Sequence, residues 1–169
     1  MKNVLELLER TAARLPRQTA FADQQCSYDY QTVVNIAGSV GSALAANGDR
    51  NCPVAVLMER GAPCLVTLMG VLYSGNFYVV LDPEMPAERV NKILRTLQPT
   101  ALICDEAHKD DPAGLDYDGK VYSAEALAAG QAQPELLQTV RRRMIDTDPA
   151  YAIFTSGSTG NPKGVVVNH

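Results

Sequence analysis

The chain has 169 residues, 46% of them hydrophobic and 20% charged, with a formal net charge of −4. That length fits one domain able to bury roughly 70% of the surface its unfolded chain exposes, and the composition is that of an ordinary soluble globular protein. The mild acidity gives no sign of nucleic acid or anionic membrane as a partner, and neither is expected. The opening Met1-Lys-Asn-Val-Leu-Glu-Leu-Leu-Glu-Arg10 mixes charge with leucine, so it is neither a signal peptide nor a membrane span, and cytoplasm is the expected location.

Val4, Leu7, Leu8, Ala12 and Leu15 recur at helical spacing, and Pro16 stops the run. Ala20 to Ala22 predicts a short strand. Ser27-Tyr28-Asp29-Tyr30 leads into Val33, Val34, Ile36, Ala37, Val40 and Leu44, the apolar stripe of an amphipathic helix that Gly48 can cap. Pro53 to Met58 reads as a strand buried on both faces. Pro63 to Tyr73 follows as a helix with proline in its first turn and Gly75 past its end. Asn76 to Leu81 is the next strand, closed by Asp82-Pro83. Ala87 to Leu97 is a helix with Val90, Ile93, Leu94 and Leu97 on one face, and Thr100 to Cys104 is a third strand. Strand and helix alternating in this way predict an α/β fold, a mostly parallel sheet with right-handed crossovers flanked by helices.

From Asp105 to about Gln133 the chain turns polar, with an edge strand expected at Lys120 to Ser123 and a short helix at Ala124 to Ala129. Arg141-Arg142-Arg143 reads as a solvated loop face. Cys26, Cys52, Cys64 and Cys104 are scattered without a paired spacing, which points to structural thiols and to no metal site.

The most informative stretch lies near the end. Tyr151 to Phe154 and Val165 to Val167 are short apolar runs that read as buried strands, and between them runs Thr155-Ser156-Gly157-Ser158-Thr159-Gly160-Asn161-Pro162-Lys163-Gly164. Glycines let the backbone turn its N–H groups toward one centre, an anion nest. Serine and threonine hydroxyls add donors. Lys163 adds a compact positive charge, and Pro162 stiffens the chain beside it. The loop is not a Walker A loop, because Asn161-Pro162 separates Gly160 from Lys163 and a valine strand follows where a helix is needed. A Gly/Ser surface loop that binds nothing is the bland alternative.

Thr155 to Gly164 resembles, without a gap, the signature phosphate loop of the adenylate-forming (AMP-binding) superfamily, which includes amino-acid adenylation domains of peptide synthetases, D-alanine:carrier-protein ligases, acyl-CoA synthetases and luciferases. Gly70 to Arg89 is similar to the second core motif of amino-acid adenylation domains. Its Asp82-Pro83, Pro86 and Arg89 frame survives, while Tyr73-Ser74, Asn76-Phe77 and Val80 depart from the usual residues. Asp82 is expected to end its strand, Pro86 to start the helix, and Arg89 to pair locally with a carboxylate. Ser27 to Tyr30 is a partial match to the first core motif.

The resemblance implies the N-terminal part of the large AMP-binding domain over residues 1–169, ending just after the phosphate loop and lacking the small C-terminal domain. It implies ATP and Mg2+ as cofactors, with the metal ligands elsewhere. The implied activity is conversion of an amino-acid carboxylate to an aminoacyl-AMP with release of pyrophosphate, then transfer to the phosphopantetheine thiol of a carrier protein. Thr155, Ser156, Gly157, Ser158, Thr159, Gly160 and Lys163 would bind the phosphates, with Lys163 catalytic. Acyl- or aryl-CoA ligation stays open, as does a non-catalytic, self-associating module. The chain alone is expected to be inactive. His169 resembles the histidine that closes the third motif, in either a structural hydrogen bond or a contact with substrate.

Overall fold

The computed structural model of the protein describes residues 3–155 and 162–169. Helix α1 (Leu5–Arg14) buries Leu5, Leu8 and Ala12, three residues at i, i+3 and i+7. Leu7 and Leu15, expected on that face, are exposed. Leu7 is one residue off the buried stripe, and Leu15 lies past the helix with non-helical angles.

Strand β1 (Thr19–Ala22) pairs antiparallel with β2 (Ser27–Asp29), a strand the sequence pattern does not reveal. Asp23 holds the turn between them, accepting from the Gln25 and Cys26 N–H groups at 2.7 and 2.8 Å. Asp29 then caps α2 (Tyr30–Ala45), its carboxylate accepting from the Thr32 N–H at 2.8 Å. Gly48, at φ +82°, closes the end of that helix, as expected.

The main sheet comprises β3 (Pro53–Leu57), β4 (Phe77–Leu81), β5 (Ala101–Cys104), β6 (Lys120–Ser123), β7 (Pro149–Thr155) and β8 (Lys163–Asn168). Its order is β6-β5-β3-β4-β7-β8, with every pairing from β6 to β7 parallel and β8 antiparallel to β7. This is the expected mostly parallel α/β sheet. Helix α3 (Ala62–Tyr73) links β3 to β4, and α4 (Ala87–Leu97) links β4 to β5. The two helices cover opposite faces. Leu68 and Val71 of α3 pack with Val54, Val56 and Ile103, whereas Val90, Ile93 and Leu94 of α4 pack with Ala55, Leu57, Val79 and Leu102. Alternate residues of β3 thus serve two cores, which is why its sequence is apolar throughout.

Helices α2 and α3 approach very closely. A Cβ on Gly70 would stand 2.4 Å from Val40 Cβ, and one on Gly41 would stand 2.5 Å from Tyr73 Cβ. Glycine at both positions is therefore what lets the two backbones touch.

Two further helices complete the fold, α5 (Ala124–Ala128) after β6 and α6 (Pro134–Arg143). Helix α6 corrects the reading of Arg141 to Arg143 as a loop. The three arginines form its last turn, where cations suit the helix dipole, and Arg141 donates to Glu9 of α1 at 2.6 Å. The helix buries none of its residues fully, so its apolar signal is weak. Cys64 and Cys104 are buried free thiols. Burial, with the charge of Asp105 beside each, pushes them up to about 11 and about 12, so both stay protonated and inert.

The reading of the final strands as buried is corrected in part. Ala150 and Ala152 of β7 enter the cores, but Ile153, Val165 and Val166 are 54–55% exposed. Strand β8 is the edge of the sheet, and its valines pair with β7 without being covered.

Candidate active site

Because β3 to β7 run parallel, all five end on one edge of the sheet, the edge where open α/β sheets gather their ligands. Glu59 and Arg60 follow β3, Asp82 follows β4, Asp105 follows β5, and Thr155 ends β7. Strand β8 runs back from this same edge, so its first residue, Lys163, lies in register with Thr155. Both are exposed, and the Thr155 hydroxyl donates to the Lys163 carbonyl at 3.5 Å. One residue inward, Phe154 lies opposite Gly164, where an added Cβ would come within 3.1 Å of the phenyl ring. Of the expected phosphate-binding set, Thr155 and Lys163 are thereby brought together. Ser156, Gly157, Ser158, Thr159 and Gly160 lie outside the described residues.

Charge divides this edge into two regions. Beside β3 and β5 a cavity of about 770 Å³ has Asp23, Glu59, Asp105, Glu106 and Glu125 in its wall against Arg60. Asp105 accepts from the Glu59 N–H at 2.7 Å and contacts His108 Nδ1 at 2.6 Å. That hydrogen bond raises the imidazole above its ordinary range, against the opposing effect of burial. The N-terminus of α3 points here too, but the Asp23 carboxylate already accepts from its Ala62 N–H at 2.7 Å. Backbone donors from Ala62, Cys26 and Gln25 hold Asp23 at about 2, so it is ionised throughout the neutral range. An acidic cavity of this kind repels a polyphosphate. Lys163 lies outside that wall, at the β7–β8 end.

Asp82 is engaged by Arg60 across the tops of β3 and β4, and its other oxygen accepts from the Glu84 N–H at 3.0 Å. Asp82 therefore ends its strand as expected, and Pro86 directly precedes α4. The expected pairing of Arg89 is corrected, since Arg89 forms no ion pair among the described residues and Arg60 takes the carboxylate. His169 is half-buried. Its N–H donates to the Asp148 carbonyl at 3.2 Å, and its Nδ1 accepts from the Val4 N–H at 3.5 Å. Burial lowers its pKa. Beneath it, Asp148 accepts from Arg50, Asn51 and the Ile145 N–H, tying β7 to the loop before β3.

Sequence reasoning missed Arg60, Asp105 and His108. Their signal was present, for each lies just past an apolar run that had been read as a parallel strand. Among the described residues no cluster of histidine, cysteine, aspartate or glutamate is arranged to hold a metal ion, and no helix is long and apolar enough to cross a membrane.

Comparison with known proteins supports the arrangement. A family model described as "AMP-binding enzyme" matches residues 8–169. The chain is 36% identical over 155 residues to pyochelin synthetase PchF of Pseudomonas aeruginosa, an alignment covering 91% of this chain and 8% of that protein. Among solved structures, the nonribosomal peptide synthetase FmoA3, in its alpha-methyl-L-serine-AMP bound form, superposes with a TM-score of 0.79 at 26% identity, covering 97% of this chain and 17% of that one. The N-terminal subdomain of Klebsiella oxytoca NpsA shares the fold, with a TM-score of 0.77 at 21% identity over 100% of this chain and 41% of that one. The chain thus spans less than a tenth of the curated relatives it matches. With its sheet, its carboxyl edge and its final hairpin in this arrangement, the chain belongs to the family of AMP-binding enzymes.

Proposed function

We infer that this chain supplies the phosphate-binding part of an enzyme that activates an amino-acid carboxylate with ATP. The observation that carries the reading is the register of Thr155 with Lys163, which sets a hydroxyl and an ammonium at the two ends of the glycine- and hydroxyl-rich connection. In this reading Thr155, Ser156, Gly157, Ser158, Thr159, Gly160 and Lys163 grip the β- and γ-phosphates. A carboxylate oxygen attacks the α-phosphorus, the bond to the bridging oxygen breaks, and Lys163 stabilises the charge gathering on departing pyrophosphate. Mg2+ accompanies ATP in this reading. The aminoacyl group then passes to the phosphopantetheine thiol of a carrier protein. The synthetase identity of PchF and the aminoacyl-AMP bound to FmoA3 support that chemistry over fatty acyl-CoA ligation.

Residues 1–169 act in this reading as the N-terminal part of the large AMP-binding domain, and by themselves do not catalyse. The test is ATP–pyrophosphate exchange across a panel of amino and aryl acids, run on the 169-residue chain and on the longest product of its reading frame. Acid-dependent exchange confined to the longer product is the expected result, and its absence from both would overturn the reading. A second reading, in which the isolated chain self-associates, is favoured by the exposed Ile153, Val165 and Val166 on and beside an edge strand. Sedimentation velocity of the 169-residue chain should show a dimer or larger species, and a single monomeric boundary would contradict it.

A further inference from the structure

The tops of β3 and β5 are joined by a closed ring of polar contacts with Asp105 at its centre. One Asp105 oxygen accepts from the Glu59 N–H at 2.7 Å. The other accepts from the His108 N–H at 3.1 Å and lies 2.6 Å from His108 Nδ1. The Glu59 side chain completes the ring, its Oε1 lying 3.5 Å from His108 Nε2. The side chains of Asp105 and His108 are each 14% exposed, whereas that of Glu59 is 73% exposed.

The imidazole thus has a carboxylate at each of its nitrogens. An ionised carboxylate only accepts, so Nδ1 keeps its proton toward Asp105 whether or not the ring is charged. What changes with protonation is Nε2. In the neutral ring it carries a lone pair, which faces the negative Glu59 oxygen and cannot bond to it. In the imidazolium it carries an N–H, which pairs with that oxygen. Glu59 makes no other side-chain pairing among the described residues, so this contact decides whether its side chain is held. The neighbouring charges have partners of their own. Glu106 pairs with Lys109 at 2.5 Å, Glu125 of α5 accepts from the Glu106 N–H at 2.9 Å, and Arg60 is engaged by Asp82. The charge of Asp111 also favours the imidazolium.

We propose that Asp105, His108 and Glu59 form a proton-operated latch across the tops of β3 and β5. With the ring charged, Glu59 is fastened to the turn Glu106–His108. With the ring neutral, Glu59 is released, and the wall of the cavity of about 770 Å³ that contains it becomes more negative. The hydrogen bond to Asp105 sets the change above the ordinary 6.5, so the latch opens as pH rises through that higher value. The device is independent of the adenylation reading.

The experiment titrates protein carrying ¹⁵N-histidine and ¹³C,¹⁵N-glutamate, with no ligand added. The chain has two histidines, and burial lowers His169, so the higher midpoint belongs to His108. Above that midpoint the His108 ring should carry its proton on Nδ1. Three-bond couplings in Glu59, assigned with Glu59→Gln, should report one dominant side-chain rotamer below the midpoint and an average above it. The expected shift in that equilibrium is about threefold, the size of a partly exposed ion pair. By linkage, Glu59→Gln should weaken proton binding at His108 about threefold. Glu59 is exposed, so this variant keeps the fold. In His108→Asn the Glu59 rotamers should be averaged at every pH. A Glu59 rotamer distribution that ignores pH, a neutral ring protonated on Nε2, or an unchanged His108 midpoint in Glu59→Gln would each overturn the proposal. So would a Glu59 transition that survives in His108→Asn.

Discussion

Phe154 and Gly164 face each other across the β7–β8 hairpin, and the phenyl ring occupies the space a side chain at position 164 would need. The pair lies one residue inward of Thr155 and Lys163, so the packing of a ring on a bare backbone fixes the approach of those two residues. Gly164→Val should force the ring aside and loosen that end of the hairpin, at a cost of about 1 kcal/mol, the low end for overpacking at a partly exposed site. Chemical denaturation would measure the loss. Amide exchange should show it concentrated in β7 and β8 and not in β3 to β5.

Gly70 makes a stronger demand. Its absent Cβ would overlap Val40 Cβ, both backbone-fixed atoms that cannot rotate away. Gly70→Val should separate α2 from α3 and destabilise the protein by about 3 kcal/mol, read as a lower urea midpoint. Gly48→Ala, at a site with open space but positive φ, should cost only about 1 kcal/mol.

Acid sensitivity should involve Asp148. Burial works to raise its pKa, but hydrogen bonds from the Ile145 N–H, Asn51 and Arg50, with the charge of Arg50, lower it overall from the ordinary 3.8. A carboxylate held lower in the folded state contributes stability that is complete above the unfolded value and is lost as pH falls through the folded one. The contribution of Asp148 should therefore be constant above about pH 5 and decline below pH 4. Asp148→Asn should cost on the order of 2 kcal/mol at pH 7, and its melting curve should converge on that of the parent protein in acid.

His108 behaves in the opposite sense. Its hydrogen bond to Asp105 raises the folded pKa above 6.5, so its stabilising contribution is complete below that value and is lost as pH rises through the folded one. The difference in melting temperature between the parent protein and His108→Asn should widen as pH falls from 8 to 6. A difference independent of pH would show that the imidazole is not held this way.

Much of the framework was legible in the sequence. Ala87 to Leu97 carried its apolar face, its preceding proline and its length, and became α4 with those bounds. The runs that became β3, β4 and β5 were short, apolar and punctuated by Gly, Pro or Asp. Less visible were β2, with three residues and no periodicity to read, and α6, whose partly exposed leucines sit among glutamine and arginine. Strand order, which brings Asp105 beside Glu59 and Arg60 beside Asp82, depends on long-range pairing and has no local signal. The final valines looked like core because burial is inferred from composition, whereas exposure depends on what lies alongside. Lys163 could be named from the motif, but its register with Thr155 could not.

The most direct test of the account is the loss of one charge, Lys163→Ala, in the longest product of the reading frame, assayed by ATP–pyrophosphate exchange with the acid that supports it. If the ammonium at the head of β8 stabilises departing pyrophosphate, exchange should fall by roughly a hundredfold or more, with the melting temperature unchanged because Lys163 is exposed. Exchange at the level of the parent protein would contradict the assignment of Lys163 to the reacting phosphates.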